Sequence, residues 1–185
     1  MDSFEVAAAL FRVLETGDAA LARRVVAAGN HNREAAVSPA ACSIPGPAGT
    51  LASGAWMRSA FSELRFPVTD SAAKDDKVWL LLRMRGTHTG PFVRFRNGKL
   101  DQAIPPTGRE IDFEQLHVVT VRDGEVVRHE ALRDDLTMLG QLGVFPPSPS
   151  VMGRVVTWRV TGRAKKAADE VTALSAAAAA SFTKN

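Results

Sequence analysis

Residues 111–121 carry the pattern that most constrains the fold. Their odd positions are mostly apolar and their even positions include Asp112 and Glu114, and this period of two predicts a strand with one buried face. The next residues, Arg122-Asp123-Gly124, predict a hairpin with Glu125–Leu132 as the returning strand, because Asp-Gly suits a two-residue type I′ turn. A long hairpin of this kind predicts the centre of an antiparallel sheet.

Helical and strand patterns surround the hairpin. Three helices are predicted before it, because apolar residues recur at helical spacing and Gly17-Asp18 separates the first two. Residues 30–48 are predicted as loop, and the alanine-rich residues 163–182 as a helical tail. The three helices are predicted at 3–15, from Asp18 to near Gly29 and at about 47–63, and a further short helix is predicted at 134–141. Further strands are predicted at 64–69, 77–87 and 92–95. Helices first and strands later indicate an α+β fold with a curved, mostly antiparallel sheet.

The composition argues against several classes of function. The 185 residues contain no apolar run of about 18, and the N-terminus has neither the basic start nor the apolar core of a signal peptide, so no membrane partner is predicted. A single cysteine, Cys42, forbids an internal disulfide and a cysteine-built zinc site, and the cytoplasm is the expected location. The net charge of +3 comes without a basic stripe, and Tyr is absent, so no nucleic-acid partner is predicted.

Two polar side chains interrupt the apolar face of the hairpin. Gln115 and His117 share this face with Phe113, and buried polar groups need hydrogen-bond partners. With a two-residue turn, His117 lies opposite Glu130, and Arg128 shares the inner face; a β-bulge would shift this pairing by one residue. The residues predicted to converge at one mouth are Gln115, His117, Arg128, Glu130 and Asp134.

Such a cluster suits proton transfer. A carboxylate in apolar surroundings has a raised pKa and can act as acid or base, while His or Gln hydrogen-bonds a carbonyl that develops enolate charge. The alternative is a purely structural buried pair of His117 and Glu130. His88 lies either at the pocket rim or in a plain turn, and Asp134-Asp135 fits a helix N-cap followed by a first-turn acid equally well. The spacing of the four histidines matches no metal-ligand motif, so no metal is predicted.

Several short motifs follow one another along the chain. The later ones are Gly86-Thr87-His88-Thr89-Gly90-Pro91-Phe92, Pro105-Pro106-Thr107-Gly108-Arg109, Asp123-Gly124-Glu125-Val126-Val127-Arg128-His129, Arg133-Asp134-Asp135-Leu136 and Gln141-Leu142-Gly143. The earlier ones are His31-Asn32-Arg33-Glu34-Ala35, Gly46-Pro47-Ala48-Gly49 and Ala60-Phe61-Ser62-Glu63-Leu64-Arg65-Phe66. In this order, over roughly residues 3–147, the chain resembles the SnoaL-like polyketide cyclases, or ester cyclases, of the nuclear transport factor 2-like superfamily.

The resemblance implies a cone-shaped α+β barrel, with N-terminal helices wrapping a curved sheet around a deep cavity, and homodimers or homotetramers formed through the sheet. It implies that a carboxylate just before the Gln-Leu-Gly helix is the acid/base of an intramolecular aldol ring closure. By position this is Asp134, with Asp135 the less favoured assignment. Gln115 and His117 match the Gln-x-His pair that lines the site, and no cofactor or metal is required. At the position of Glu130 the family often has Trp.

The leading hypothesis is a cofactor-independent cyclase that acts on a hydrophobic, polyketide-like molecule. Asp134 would move the proton, and His117 and Gln115 would hold the enolate oxygen. A second hypothesis is an epoxide hydrolase or hydratase in the same cavity, with Arg128, Glu130 and Asp134 activating water, and a third is a non-catalytic ligand-binding module. The residues predicted to bind substrate are His88, Arg128, Glu130, Phe113 and Trp56.

The predicted domain organisation divides the chain near Pro147. Residues 1–147 are predicted to form the barrel, and residues 148–185 a C-terminal extension that is partly helical. The alanine run 176–180 is expected to fray in solution. Four apolar residues of the extension are candidates to cover a partner subunit: Met152, Val155, Val156 and Trp158.

Overall fold

The structure, a computed structural model, describes residues 1–183, and Lys184 and Asn185 of the predicted tail lie outside the described residues. The helices are α1 (Ser3–Thr16), α2 (Ala19–Val25), α3 (Pro47–Ala60), α4 (Asp135–Gln141), α5 (Pro149–Val160) and α6 (Arg163–Thr183). The strands are β1 (Val26–Asn32), β2 (Phe61–Arg65), β3 (Val68–Lys74), β4 (Lys77–His88), β5 (Phe92–Arg96), β6 (Lys99–Ile104), β7 (Glu110–Arg122) and β8 (Glu125–Arg133). Two 3₁₀ segments follow β1, at Arg33–Val37 and Ala40–Ser43.

Six strands form one curled sheet in the order β1-β8-β7-β4-β2, with β3 also pairing with β4. β1 runs parallel to β8, and the other neighbours are antiparallel. β5 and β6 form a separate two-stranded ribbon. Helix α1 packs against β7 and β8, and α3 packs against α1 and against β1, β2 and β5. The predicted α+β fold with a curved, mostly antiparallel sheet is confirmed.

A β-bulge in β8 sets which side chains face the interior. Val121 pairs with Val126, but the next residue back, Thr120, pairs with Arg128, so Val127 is the extra residue. Because side chains alternate between the two faces of a strand, one extra residue reverses the facing of everything beyond it. The predicted pairing of His117 with Glu130 is therefore wrong.

The shifted register brings different residues of β8 to the inner face. His117 lies opposite Ala131, and Gln115 lies opposite Arg133. His129, which is 6% exposed, points inward beside them. The even-numbered residues of β8 beyond the bulge are consequently on the outer face.

The C-terminal extension covers α3. Helix α6 runs without interruption to Thr183, and Ala167, Val171 and Ala179 along it are buried. Ala179 is only 5% exposed. The structure thus shows the alanine run as ordered helix, whereas the sequence predicts that it frays. The small side chains of α3 and α6 allow the two helices to pack closely, and this contact holds the run in place.

Several elements are not predicted by the sequence patterns. β1, β3 and β6 lie near the edges of the sheets and lack a clear alternation, and α3 ends at Ala60 because residues 61–65 form β2. Helix α5 begins at Pro149, whose missing N–H is harmless in a first turn, and the Ser148 side chain accepts from the Val151 N–H.

Within residues 1–183, no helix has the length and apolar character needed to cross a membrane.

Candidate active site

The inner face of the sheet and the helices enclose a cavity of about 80 Å³. A single water needs about 10–15 Å³ of such space, so the cavity has room for a small molecule or for one end of a larger one. Its walls are mostly apolar, and Phe113 and Trp56 contribute to them. Trp56 is fixed in place because its indole N–H donates to the carbonyl oxygen of Val93 at 2.9 Å.

Three polar side chains of the β7–β8 hairpin meet in this cavity. Gln115, His117 and His129 all line it and are all buried. His117 Nε2 lies 2.7 Å from Gln115 Oε1, and His117 Nδ1 lies 2.8 Å from His129 Nε2. The two imidazole rings stack at an interplanar angle of 10°, and the ring of Phe11 meets His117 edge-on. The structure thus brings Gln115 and His117 together and adds His129 as their third member.

These contacts fix the direction of the hydrogen bonds. The Gln115 amide oxygen only accepts, so His117 Nε2 carries a proton and donates to it. His117 Nδ1 is then the acceptor for the proton on His129 Nε2. Gln115 Nε2 donates to Met84 Sδ at 3.5 Å. Since an amide nitrogen carries two hydrogens, the second is available to a ligand oxygen.

Both imidazoles of the cavity are neutral. Burial holds the pKa of His117 well below its usual range, and the neighbouring His129 and Arg133 act in the same direction. Burial also lowers the pKa of His129 to about 4, with Arg133 contributing. The two rings therefore orient the Gln115 amide by hydrogen bonding and bring no charge of their own at neutral pH.

Three charged side chains also line the cavity. Arg94, Arg133 and Asp135 all line it. Arg133 Nε lies 3.5 Å from Asp135 Oδ1, and the two side chains are 28% and 41% exposed. Arg133 stands directly opposite Gln115 in the hairpin, which puts this ion pair next to the hydrogen-bonded chain. Asp135 supplies the only carboxylate that lines the cavity among the side chains the structure describes.

Asp134 lies outside the cavity, so its predicted position at the mouth is wrong. It is the N-cap of α4, where its side chain accepts from the Thr137 N–H at 3.0 Å and from the Thr137 hydroxyl. These hydrogen bonds hold the pKa of the exposed Asp134 carboxyl below its usual value, the one from the hydroxyl most strongly. The chain turns from strand to helix here, and this turn directs Asp135 rather than Asp134 toward the cavity.

Arg128 and Glu130 also lie outside the cavity, because the bulge turns them to the outer face of β8. Glu130 Oε1 accepts from Arg128 at 2.9 Å and from Arg33 at 2.8 Å. Hydrogen bonding to Arg128, and then to Arg33, holds the pKa of Glu130 below its usual value. The predicted contact of Glu130 with His117 is wrong, and the water-activating group of Arg128, Glu130 and Asp134 is not assembled in the cavity.

His88 is fully buried but does not line the cavity, so it is not at the rim. Its Nδ1 lies 3.0 Å from Thr107 Oγ1 and 3.3 Å from the Thr107 N–H, which donates to it. Its backbone N–H donates to the Arg109 carbonyl. Burial, and then the charge of Arg154, lower the pKa of His88 to about 4. Its contacts tie the end of β4 to residues 107–109.

His129, Arg133 and Asn30 are among the cavity residues that the sequence patterns do not predict. His129 and Arg133 face inward only because of the bulge, for which the sequence gives no local signal. Asn30 lies on β1, whose residues 26–29 are predicted from the sequence as the end of the second helix and whose residues 30–32 are predicted as loop; both predictions are wrong. Among residues 1–183, no three His, Cys, Asp or Glu side chains are grouped as a metal site.

Comparison with known proteins agrees with this architecture. The sequence profile of the SnoaL-like polyketide cyclases matches residues 4–142. The chain belongs to the SnoaL-like polyketide cyclase family. The aklanonic acid methyl ester cyclases DauD of Streptomyces sp. (strain C5) and DnrD of Streptomyces peucetius are each 29% identical to it over 106 residues, or 56% of this chain. The matched part spans 60% of DauD and 66% of DnrD, which is less than two thirds of either relative.

Solved structures show the same fold. The crystal structure of wild-type IdmH from Streptomyces antibioticus is 27% identical and matches 78% of this chain and 100% of its own, with a TM-score of 0.58. TsrD from Streptomyces laurentii, at 20% identity, matches 77% of this SnoaL-like chain and 95% of its own, with a TM-score of 0.61. The match to TsrD concerns the fold alone.

Proposed function

We propose that this SnoaL-like protein is a cyclase that closes a ring in a polyketide-like substrate by an intramolecular aldol-type reaction, with Asp135 as the acid and base. The observation that carries the proposal is a mostly apolar cavity lined by both the Asp135 carboxylate and the Gln115–His117–His129 chain. The family membership and the names of DauD and DnrD support cyclisation as the reaction class.

The reaction needs one group that first accepts and then returns a proton. The Asp135 carboxylate takes a proton from the carbon next to a carbonyl, and the resulting enolate carbon attacks a second carbonyl of the same molecule. A carbon–carbon bond forms, and the new alkoxide takes the proton back from Asp135. No atom is gained or lost, so the product is an isomer of the substrate.

The negative charge that develops during proton removal lies on the enolate oxygen. The Gln115 amide is the group proposed to bind it, because its Nε2 keeps one hydrogen for a ligand while His117 holds its oxygen. His117 and His129 are positioning residues in this scheme. A hydrogen bond that is already oriented before the reaction stabilises developing charge without reorganisation.

The first prediction concerns the mass of the product. Incubation with aklanonic acid methyl ester, the compound named for DauD and DnrD, is expected to give a ring-closed product of unchanged mass. The reaction is run in ¹⁸O-labelled water and analysed by liquid chromatography and mass spectrometry. A product heavier by one water that contains the label would indicate hydrolysis or hydration and contradict the cyclase proposal. Unchanged substrate over the time in which DauD converts it would contradict this substrate for the present chain.

We also propose that two copies of the chain pair through the outer face of the sheet. Apolar side chains of β4, β7 and β8 lie next to one another there, since Leu81 pairs with Leu116 and Leu116 with Leu132. Leu132 is 74% exposed, and the ion pair of Arg83 with Asp112 borders the patch. An apolar centre with both signs of charge beside it can match a second copy of itself about a two-fold axis.

The second prediction tests this pairing. The wild-type chain is expected to run as a dimer in size-exclusion chromatography with light scattering, and Leu132→Arg is expected to shift it toward the monomer, because a charge at the centre of an apolar interface must be desolvated. Leu136→Arg, at a residue of α4 that is also exposed, is the matched control and should remain dimeric. A monomeric wild type, or a Leu132→Arg variant that remains a dimer, would contradict the pairing.

A further inference from the structure

Asn30 has an unsatisfied acceptor inside the cavity. Its side chain lies on β1, lines the cavity and is only 2% exposed. The amide oxygen, Oδ1, is buried and has no hydrogen-bond partner among the described residues. Buried polar atoms are nearly always paired, so an unpaired one on a residue that lines a cavity marks a place for a ligand group.

The wall around Asn30 contains three hydroxyl side chains. Ser38, Thr50 and Ser53 also line the cavity. The hydroxyl of Ser38 donates to the Ala35 carbonyl at 2.8 Å, and that of Ser53 donates to the Gly49 carbonyl at 2.9 Å. The Thr50 hydroxyl likewise donates to the carbonyl of Gly46.

Each of these hydroxyls has a single proton, which is already given to the backbone, so it can only accept a further hydrogen bond. Ser53 Oγ already accepts one, from Asn32 Nδ2 at 3.4 Å, whereas the hydroxyl oxygens of Ser38 and Thr50 are the acceptors left on this wall. This side of the cavity therefore presents oxygen atoms that need a donor. The opposite side presents the free amide hydrogen of Gln115. Acceptors thus lie on the β1–α3 side of the cavity and the Gln115 amide donor lies on β7, while the guanidinium groups of Arg94 and Arg133 are further donors that line it.

We propose that Asn30 Oδ1 is a subsite for a hydroxyl group of the substrate, which donates a hydrogen bond to it while a carbonyl of the same molecule faces Gln115. This inference rests on the proposed cyclase function and extends it, because it specifies a hydroxylated carbonyl compound as the substrate. A methyl or methoxy group at the same place cannot donate and leaves the Asn30 oxygen unpaired. Selection follows from that difference, because a site built to pair with a hydroxyl discriminates against the analogue that lacks it.

The test compares two aromatic probes of equal size, 2-naphthol and 2-methylnaphthalene, by titration calorimetry at neutral pH. Each has the same number of heavy atoms, and only 2-naphthol can donate. Asn30→Leu, which keeps the branching and the number of heavy atoms of the Asn30 side chain, is expected to weaken 2-naphthol binding by about five- to tenfold relative to the binding of 2-methylnaphthalene. Asn32→Leu, on the same strand and also lining the cavity, is the control and should keep the wild-type preference.

Equal changes for the two probes, or no binding of either probe to the wild type, would overturn the subsite. A loss of preference in Asn32→Leu that is absent in Asn30→Leu would overturn it as well. Asn30→Leu removes a buried amide oxygen that has no partner in the absence of ligand, so the fold is expected to tolerate the substitution. Should Asn30→Leu fail to fold, Asn30→Ala serves in its place, with the same loss of preference expected.

Turnover separates this inference from the cyclase proposal. If aklanonic acid methyl ester is not cyclised but the probe preference depends on Asn30, the subsite stands and the proposed reaction fails. If cyclisation proceeds and the preference is independent of Asn30, the reaction stands and the subsite is wrong.

Discussion

The Asp135→Asn variant is expected to keep its fold and to lose ring closure by about 10²–10⁴-fold, the usual contribution of a general acid and base. Asparagine has the size of aspartate and can still accept a hydrogen bond from Arg133, whose Nε lies 3.5 Å from the carboxylate. It cannot take up a proton and return it. The loss should therefore appear in kcat, with KM changed much less, and circular dichroism should match the wild type.

Asp134→Asn is the matched control for this prediction. Asp134 caps α4 through Thr137 and is exposed, and asparagine is as good an N-cap as aspartate. Its kcat and thermal stability should both stay close to those of the wild type. Loss of turnover in Asp134→Asn with full activity in Asp135→Asn would contradict the assignment and return the catalytic role to the capping residue.

The two neighbouring carboxylates show where the sequence stops being informative. The motif Arg133-Asp134-Asp135-Leu136 predicts a helix start with an acid near the site, and the structure has both. Which carboxylate points inward depends on how the chain turns from β8 into α4. That turn follows the shifted strand register of β8, which is not a property of the local sequence.

The hairpin likewise has parts that local patterns predict and one feature, the bulge, that they do not. Alternation in residues 111–121 was enough to predict β7 and to place Gln115 and His117 on its inner face, and the turn at Asp123-Gly124 was enough to predict β8. The extra residue at Val127 has no such pattern, because a bulge is a compromise between the twist of two strands rather than a preference of one residue. Its effect on the site is large, since it brings in His129 and Arg133 and turns out Glu130.

The covering layers depend on contacts that are remote in sequence. Helix α6 is held by α3, more than a hundred residues earlier, and a run of alanines predicts helicity without saying whether anything lies against it. Asn30 likewise reaches the cavity because β1 pairs in parallel with β8, at the far end of the chain. Local patterns gave the fold class and two polar residues of the cavity, and long-range pairing gave the rest.

Acidification is expected to destabilise the protein strongly through its buried histidines. Burial lowers the pKa of His129 to about 4 and that of His117 well below its usual range, whereas both imidazoles have a pKa of about 6.5 in the unfolded chain. Between pH 6.5 and pH 4 the unfolded chain therefore binds protons that the folded chain does not, and the free energy of unfolding falls as the pH falls. For His129 alone this shift corresponds to about 3 kcal/mol across the window.

The measurement is urea unfolding of the wild type and His129→Gln at pH 7 and at pH 4.5. Glutamine can still donate to His117 Nδ1 but does not titrate, so His129→Gln should lose about 2–3 kcal/mol less than the wild type between the two pH values. His31→Gln, at an exposed histidine, is the control and should follow the wild type. Carboxylates protonate in all three proteins alike, so the difference isolates the buried imidazole. Equal pH dependence in the wild type and His129→Gln would contradict the lowered pKa of His129 in the folded chain.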